Sequence, residues 1–317
     1  MTIALIFPGQ GAQKIGMGRE LHDAFAEARE VFQTVDDALS QNLSRLIFSG
    51  EQSELDLTAN TQPAIMATSL AAWAVLRKQG SLNFSNFSFA AGHSLGEYSA
   101  LAVVETFALA DTARLLRTRG DAMQKAVPVG MGAMAALLGA DLEPVLDICL
   151  EAQQDQVVTV ANDNSVGQIV ISGHREAVDR AIAIAAERGI KKAIMLPVSA
   201  PFHCPLMAPA AEVMAEALAK VEMRVPQVPI IANVTSDVVA DPQKIRSLLV
   251  EQVTGMVRWR PTVERLAAKG VTEMLELGPG KTLAGLAKRI APEVVVHSLS
   301  TPHDIDNYLS SQQRKAS

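Results

Sequence analysis

Aromatic residues and basic charge are both scarce in this chain. Phe, Trp and Tyr make up 4% of its 317 residues, and 28 Lys and Arg residues face 34 Asp and Glu residues, for a formal net charge of −6. Nucleic-acid binding requires a basic surface, usually with aromatic side chains among the basic ones. The composition therefore predicts that the protein does not bind nucleic acid.

Cysteine is also rare, with only Cys149 and Cys204 in the chain. No C-x-x-C pair and no other metal-ligand spacing is present, so we expect no zinc knuckle, redox pair, metal or redox cofactor. Two free thiols are typical of a reducing cytosol. Cys204 adjoins His203 and is an alternative nucleophile, but side chains adjacent in sequence rarely face each other.

Long hydrophobic runs are missing as well. No stretch approaches the roughly 20 apolar residues of a membrane span. The run Ile3–Phe7 is too short for the core of a signal peptide, and no basic segment precedes it. We expect a cytoplasmic protein that does not associate with membranes.

Apolar runs typical of buried strands alternate with segments of helical spacing along most of the chain, which predicts an α/β fold. The predicted strands are 2–7, 87–92, 228–234, 271–278 and 294–299. The predicted helices are 19–40, 62–80, 97–104, 109–126, 205–219, 241–254, 261–269 and 281–289, followed by a frayed polar tail. These elements predict a hydrolase-like domain with a central, mostly parallel sheet, formed by residues 1–129 and 199–317.

A second unit interrupts this alternation. Strands are predicted at 132–139, 156–162, 168–173 and 192–197, with helices at 141–153 and 175–189. The order β-α-β-β-α-β is that of the ferredoxin-like fold. We therefore predict a small ferredoxin-like domain of residues 130–198, inserted into the larger one.

The sequence "FAAGHSLGEYSA" places Ser94 between Gly92 and Gly96, after a predicted strand and before a predicted helix. A serine on such a sharp turn has strained backbone angles, and the two glycines remove side chains that would clash. The start of the helix favours developing negative charge. An ordinary glycine-flanked turn is the alternative, but the strand and helix on either side favour a nucleophile elbow.

A serine nucleophile needs a general base. The six histidines of the chain are His22, His93, His174, His203, His297 and His303. His93 adjoins Ser94, where neighbouring side chains diverge. His203 lies in the loop "VSAPFHCPLM" between a strand and a helix, a kind of loop that positions side chains at a sheet edge. His203 is the preferred candidate.

An oxyanion formed by attack of Ser94 needs two backbone donors. One is the amide of Leu95, the residue after the nucleophile. The other must come from a second loop, and "FPGQGAQ" after the first strand is suitable because its glycines allow close approach. A phosphate-binding loop is the alternative, but the Walker and G-x-G-x-x-G spacings are absent.

Seven segments, taken together and in their order along the chain, closely resemble those of the malonyl-CoA:acyl-carrier-protein transacylases of fatty-acid synthesis. The resemblance covers about residues 3 to 300, and the acyltransferase domains of polyketide synthases share the fold and many of the motifs. The segments are "FPGQGAQ", "GHSLGEYSAL", "RTRGDAMQ", "GAMAALLG", "NDNSVGQIVISG", "PVSAPFHCPLM" and "LELGPGKTL".

The resemblance implies that Ser94 carries the malonyl group as an ester and that His203 is the general base. It also implies that Gln10 supplies the second oxyanion amide and that Arg119 binds the malonyl carboxylate. Helical spacing alone does not separate Arg119 from Arg114 and Arg117. Asn162 and Asn164 are implied to lie in the pocket, and Phe202 is expected beside the malonyl methylene. In the family a main-chain carbonyl orients the histidine, and its position falls at about Arg258. The chain departs from the family with Met256 and Val166, each in place of a proline.

The implied reaction is ping-pong transfer of malonyl from malonyl-CoA to the phosphopantetheine thiol of acyl carrier protein. It needs no cofactor, and we expect the enzyme to be a monomer. Because carrier proteins are acidic and this chain is net negative, docking needs a local basic patch. The candidates are Arg188, Lys191 and Lys192, and Lys281, Lys288 and Arg289.

Two alternatives stay open at this point. A serine hydrolase shares the elbow, but its histidine normally lies late in the chain, and it needs no carboxylate-binding arginine. A non-catalytic scaffold that binds the carrier protein would not need the intact Ser94, His203 and glycine framework. The sequence does not separate fatty-acid from polyketide synthesis, although a chain without fused synthase domains favours the first.

Overall fold

The computed structural model describes residues 2–190 and 192–316, and its strands form two separate sheets. In chain order the strands are β1 (Ile3–Phe7), β2 (Phe89–Gly92), β3 (Gly132–Leu138), β4 (Val158–Ser165), β5 (Gln168–His174), β6 (Lys192–Met195), β7 (Ile230–Ile231), β8 (Val238–Val239), β9 (Glu273–Leu277) and β10 (Val295–Leu299).

The larger sheet has the strand order β10-β9-β1-β2-β7-β8, and all its pairs are parallel except β7 with β8. This confirms the predicted α/β fold with a mostly parallel central sheet. Strands β1 and β2 are neighbours in register, with Phe7 opposite Gly92. The loops that follow them, which contain Gln10 and Ser94, therefore leave the same edge of the sheet side by side.

Helices cover both faces of this sheet and flank the smaller one. In chain order they are α1 (Arg19–Ala24), α2 (Ala26–Leu39), α3 (Leu43–Ser49), α4 (Gln52–Leu55), α5 (Thr58–Gln79), α6 (Leu95–Val103), α7 (Leu109–Lys125), α8 (Leu142–Gln153), α9 (Arg175–Glu187), α10 (Ala208–Ala219), α11 (Pro242–Thr254), α12 (Trp259–Ala268), α13 (Thr282–Ile290) and α14 (Pro302–Ala316), with short 3-10 helices at Phe84–Asn86 and Pro205–Met207.

The smaller sheet has the order β4-β5-β3-β6 with every pair antiparallel, as in ferredoxin-like folds. Its apolar face packs on α8 and α9 in a core of its own. Strand β4 also meets the larger unit, because the amide of Val257 donates to Ala161 O at 2.8 Å and that of Asp163 donates to Val257 O at 3.0 Å. The domain boundaries at 129/130 and 198/199 stay a prediction.

Three predictions about helices were wrong in detail. The helix expected at 19–40 is broken at Phe25, whose extended backbone separates α1 from α2. Helix α5 begins at Thr58, four residues early, because its first turn is buried and Pro63 is accommodated inside it. The tail expected to fray is helical as far as Ala316, as part of α14, whose start is fixed by Asp304, which accepts hydrogen bonds from the amides of Ser300 and Thr301. Ser317, the last residue of that tail, lies outside the described residues.

Candidate active site

Ser94 lies on the turn between β2 and α6, in a backbone conformation (φ 53°, ψ −112°) that is rare for any residue except glycine. The glycines on either side make this turn sterically possible. A Cβ on Gly92 would lie 1.9 Å from the backbone of Gly96, and one on Gly96 would lie 2.3 Å from the carbonyl oxygen of Phe7. The sequence motif therefore forms the strained strand-to-helix turn that was expected of it.

His203 faces the serine from the loop before α10. Its Nε2 lies 2.7 Å from Ser94 Oγ, and its Nδ1 lies 2.9 Å from the main-chain oxygen of Gln252. The Gln252 carbonyl can only accept, so Nδ1 carries the proton and Nε2 is free to take the serine proton. Burial, followed by the positive charge of Arg119, lowers the pKa of His203 to about 3, which keeps the ring neutral.

The prediction that this carbonyl belongs to Arg258 was wrong. Gln252 lies in the last turn of α11, where carbonyls have no partner within the helix, and this one is directed at the histidine. The carbonyl of Arg258 instead accepts from Thr262, in the first turn of α12. The Arg258 side chain lines a different surface groove and not the cavity that contains Ser94.

Arg119 is 1% exposed and approaches the serine from α7. Its Nη2 donates to Ser94 Oγ at 3.1 Å and to Gln252 Oε1 at 2.8 Å, and its Nη1 donates to Gln62 Oε1 at 2.9 Å. The two neighbouring arginines of the helix lie elsewhere, with Arg114 paired to Asp111 and Arg117 to Gln41. Arg119 is thus the arginine of this helix whose charge lies beside Ser94 Oγ.

A cavity of about 300 Å³ opens above Ser94, and its lining includes both predicted oxyanion donors, Gln10 and Leu95. Leu95 is the first residue of α6, so its amide has no acceptor within the helix. Phe202 and Asn162 also line the cavity.

Asn164 was expected in the pocket but lies behind its wall. Its Oδ1 is 2.8 Å from His93 Nε2, and the His93 ring lies 5.7 Å from that of Trp259. Burial lowers the pKa of His93, so this ring is neutral and serves to join β4 to the nucleophile turn. His93 lines the same cavity as Ser94, but its Nε2 is directed at Asn164, and the side chains that bond Ser94 Oγ among the described residues are His203 and Arg119.

Both cysteines are buried. Burial raises the pKa of the Cys149 thiol to about 12 and also raises that of Cys204, so neither forms a thiolate readily. The Cys204 thiol donates to Pro201 O at 3.0 Å, away from the serine. The geometry therefore favours Ser94 over Cys204 as the nucleophile.

Four buried polar residues around the serine were missed by the sequence analysis, namely Gln62, Glu97, Asn233 and Gln252. Glu97 follows Ser94 by three residues in "SLGE", a spacing that turns it inward on the first turn of α6. Burial raises the pKa of its carboxyl group to about 7, against the lowering effects of the Gln252 amide, the Asn233 N–H and Arg119. The other three lie on distant segments and gave no local signal.

Comparisons with known proteins identify the family of this chain. The sequence model of the acyl transferase domain family matches residues 4–293. The chain is 42% identical over 305 residues to the malonyl CoA-acyl carrier protein transacylase of Bacillus subtilis, covering 96% of this chain and 95% of that protein. The chain belongs to the malonyl CoA-acyl carrier protein transacylase family.

Solved structures of this family have the same fold. The acyl-carrier-protein S-malonyltransferase of Bartonella henselae is 51% identical, with a TM-score of 0.96 over 99% of this chain and 100% of that one. A malonyl-transacylase solved in complex with a type II polyketide synthase acyl-carrier protein is 40% identical, with a TM-score of 0.95 over 98% of this chain and 100% of that one. The acyltransferase class implied by the family resemblance and the fold predicted from the order of the elements are confirmed.

The basic residues proposed for carrier docking differ in whether their side chains have partners within the protein. Arg188 pairs with Glu151, and Arg289 Nη1 donates to Gln168 Oε1 at 3.2 Å. Lys192, Lys281 and Lys288 are exposed. Lys191 lies outside the described residues, so the basic patch stays a prediction.

Among residues 2–190 and 192–316, no helix has both the length and the apolar character needed to cross a membrane. In the same part of the chain, no group of three or more His, Cys, Asp or Glu side chains is arranged to hold a metal ion.

Proposed function

We propose that this chain transfers the malonyl group of malonyl-CoA to the phosphopantetheine thiol of acyl carrier protein, through an ester on Ser94, and so supplies fatty-acid elongation. The observation that carries the proposal is the convergence of two groups on Ser94 Oγ. His203 Nε2 lies 2.7 Å away, and Arg119 Nη2 lies 3.1 Å away. A base and a carboxylate-binding cation thus meet at one nucleophile.

In the first half-reaction, Ser94 Oγ attacks the thioester carbonyl and His203 Nε2 takes the hydroxyl proton. The main-chain oxygen of Gln252 accepts a hydrogen bond from Nδ1–H throughout and so stabilises the imidazolium that forms. The amides of Leu95 and Gln10 stabilise the oxyanion, and its collapse expels coenzyme A, whose sulfur receives the proton from His203. The carrier thiol then enters, and the same steps run in reverse.

Arg119 confers the preference for malonyl in this proposal. Its guanidinium is buried and lies beside the nucleophile, so the free carboxylate of a malonyl group gains a charge-assisted hydrogen bond there. Phe202 lines the same cavity and narrows the space for a methyl branch on the malonyl methylene. The cytoplasmic location and monomeric state stay predictions from the sequence.

The test is incubation of the protein with malonyl-CoA alone, digestion, and mass spectrometry. We expect one malonyl group on the peptide that contains Ser94, and its loss to acyl carrier protein that carries phosphopantetheine. Ser94→Ala should abolish both. A malonyl group on Cys204 would exclude Ser94 as the nucleophile, and release of free malonate without transfer would favour the hydrolase alternative.

A further inference from the structure

The side-chain amide of Gln252 lies between the nucleophile and the carboxylate-binding arginine. Its Oε1 accepts from Arg119 Nη2 at 2.8 Å. Its Nε2 donates to Glu97 Oε2 at 2.7 Å and to the main-chain oxygen of Ser94 at 3.0 Å. The residue is 0% exposed, so no solvent competes for these bonds.

An amide can be turned over by 180°, which exchanges its oxygen and its NH₂ group, and its surroundings decide which orientation is stable. In the reversed orientation the NH₂ group of Gln252 would face the guanidinium of Arg119, donor against donor. Its oxygen would face Glu97 Oε2, acceptor against acceptor, and that oxygen also accepts from the amide of Asn233. Among the described residues, Nε2 of Gln252 has three acceptors: Glu97 Oε2, the main-chain oxygen of Ser94 and Asn233 Oδ1. Glu97 is the nearest of them and the only one that can carry a charge.

We propose that Glu97 is a positioning residue for substrate selection: by accepting from Gln252 Nε2, it keeps Gln252 Oε1 directed at Arg119 and so holds the guanidinium where a malonyl carboxylate can bind it. The inference rests on the proposed function, in which Arg119 binds that carboxylate. Glu97 itself does not contact the substrate.

Glu97 also steadies the turn that carries the nucleophile. Its Oε2 accepts from the amide of Asn233 at 3.3 Å, and Asn233 Oδ1 accepts from the amide of Ser94 at 2.7 Å. One carboxylate therefore connects the two supports of the site, Gln252 and Asn233. The Gln252 connection bears on selectivity for malonyl, whereas the Asn233 connection bears on the reactivity of Ser94 toward every acyl group.

The test compares kcat/KM for malonyl-CoA with that for acetyl-CoA in three variants. Glu97→Gln keeps an oxygen that can accept from Gln252, so we expect its malonyl-to-acetyl ratio to stay near that of the wild type. Glu97→Leu keeps the volume but removes the acceptor. We expect the ratio to fall about tenfold, the lower end of the range for one lost hydrogen bond to a charged group, because Glu97 acts on Arg119 only through Gln252. Glu216→Leu, at an exposed position of α10, is the matched control and should leave the ratio unchanged.

Glu97→Asp replaces Glu97→Leu in the test if the leucine variant does not fold. It keeps the charge but shortens the side chain by one methylene, which moves the carboxylate away from Gln252, so it should also lower the malonyl-to-acetyl ratio. Since Glu97 acts through Gln252, the effects of Glu97→Leu or Glu97→Asp and of Gln252→Met on the ratio should not add in the double variant. A folded variant without the acceptor that keeps the wild-type ratio, or additive effects, would overturn the inference. Failure of the proposed function is distinguishable, because the wild type itself would then show no preference for malonyl-CoA.

Discussion

Asn233 clamps the strained turn at Ser94 from both sides. Its Oδ1 accepts from the amide of Ser94 at 2.7 Å, and its Nδ2 donates to the carbonyl of Gly92, also at 2.7 Å. A backbone conformation such as that of Ser94 persists only where its surroundings enforce it. Asn233, brought in from the segment after β7, provides that enforcement.

Asn233→Ala should therefore lower both stability and acylation. It leaves two buried backbone groups without partners, each costing about 1–3 kcal/mol, and it lets the turn relax away from His203. Chemical denaturation and the rate of malonyl-Ser94 formation measure the two effects. Asn307→Ala, at an exposed position of α14, is the control and should change neither. An Asn233→Ala variant with wild-type acylation would show that the turn maintains itself.

Gly92→Ala should prevent folding of the elbow. The added Cβ would lie 1.9 Å from the backbone of Gly96, which no side-chain rotation can relieve. Gly285→Ala is a matched control, since a Cβ there meets no atom within 4 Å, and alanine favours the helix by roughly 0.5–1 kcal/mol. Circular dichroism and thermal melting compare the two variants. A Gly92→Ala protein that melts like the wild type would contradict the steric account of the motif.

His203→Ala should slow acylation by the ~10²–10⁴-fold typical of a lost general base. The low pKa of His203, about 3, adds a prediction for the wild type. A base works only above its pKa, so the acid limb of kcat/KM for malonyl-CoA should lie well below the ordinary histidine value of about 6.5. Any limb near pH 7 would belong to Glu97, whose pKa is raised to about 7, and should vanish in Glu97→Gln. A limb near pH 6.5 that persists in both proteins would assign an ordinary pKa to His203.

Local sequence signals predicted the strained turn at Ser94 because a strand, two glycines and a helix start all lie within one short segment. The parallel sheet was equally predictable, since buried parallel strands are continuous apolar runs. The network behind the serine was not predictable from the residues. Gln252 and Asn233 contact Ser94 across 158 and 139 positions of the chain, and isolated polar residues on distant segments do not indicate which of them meet.

The family resemblance predicted site residues that hydrophobic periodicity could not, but it did not place all of them correctly. It distinguished Arg119 from Arg114 and Arg117, whereas periodicity could not, because all three lie on one helix. It placed the carbonyl that orients His203 at Arg258, six residues from the correct Gln252. A main-chain group carries no side-chain signature, so only the path of the backbone at the end of α11 identifies it.

Arg119→Ala should lower the ratio of kcat/KM for malonyl-CoA to that for acetyl-CoA by about one to two powers of ten. Two effects act in this direction. Malonyl loses a charge-assisted hydrogen bond of about 1.5–3 kcal/mol in a buried site. Acetyl gains, because it no longer leaves a buried guanidinium without an anionic partner. Removing the charge also raises the pKa of His203, since Arg119 is one of the groups that lower it, and a stronger base assists transfer of either acyl group.

Arg119→Ala also removes the hydrogen bond to Ser94 Oγ, which lowers activity equally for both substrates. The malonyl-to-acetyl ratio is not affected by that general loss and therefore reports selectivity alone. Arg114→Ala is the matched control on the same helix, because its ion pair with Asp111 lies on the surface and away from the cavity. We expect it to leave the ratio at the wild-type value. If the ratio holds in Arg119→Ala and falls in Arg114→Ala or Arg117→Ala instead, the carboxylate partner is not the arginine beside Ser94, and the assignment of Arg119 is wrong.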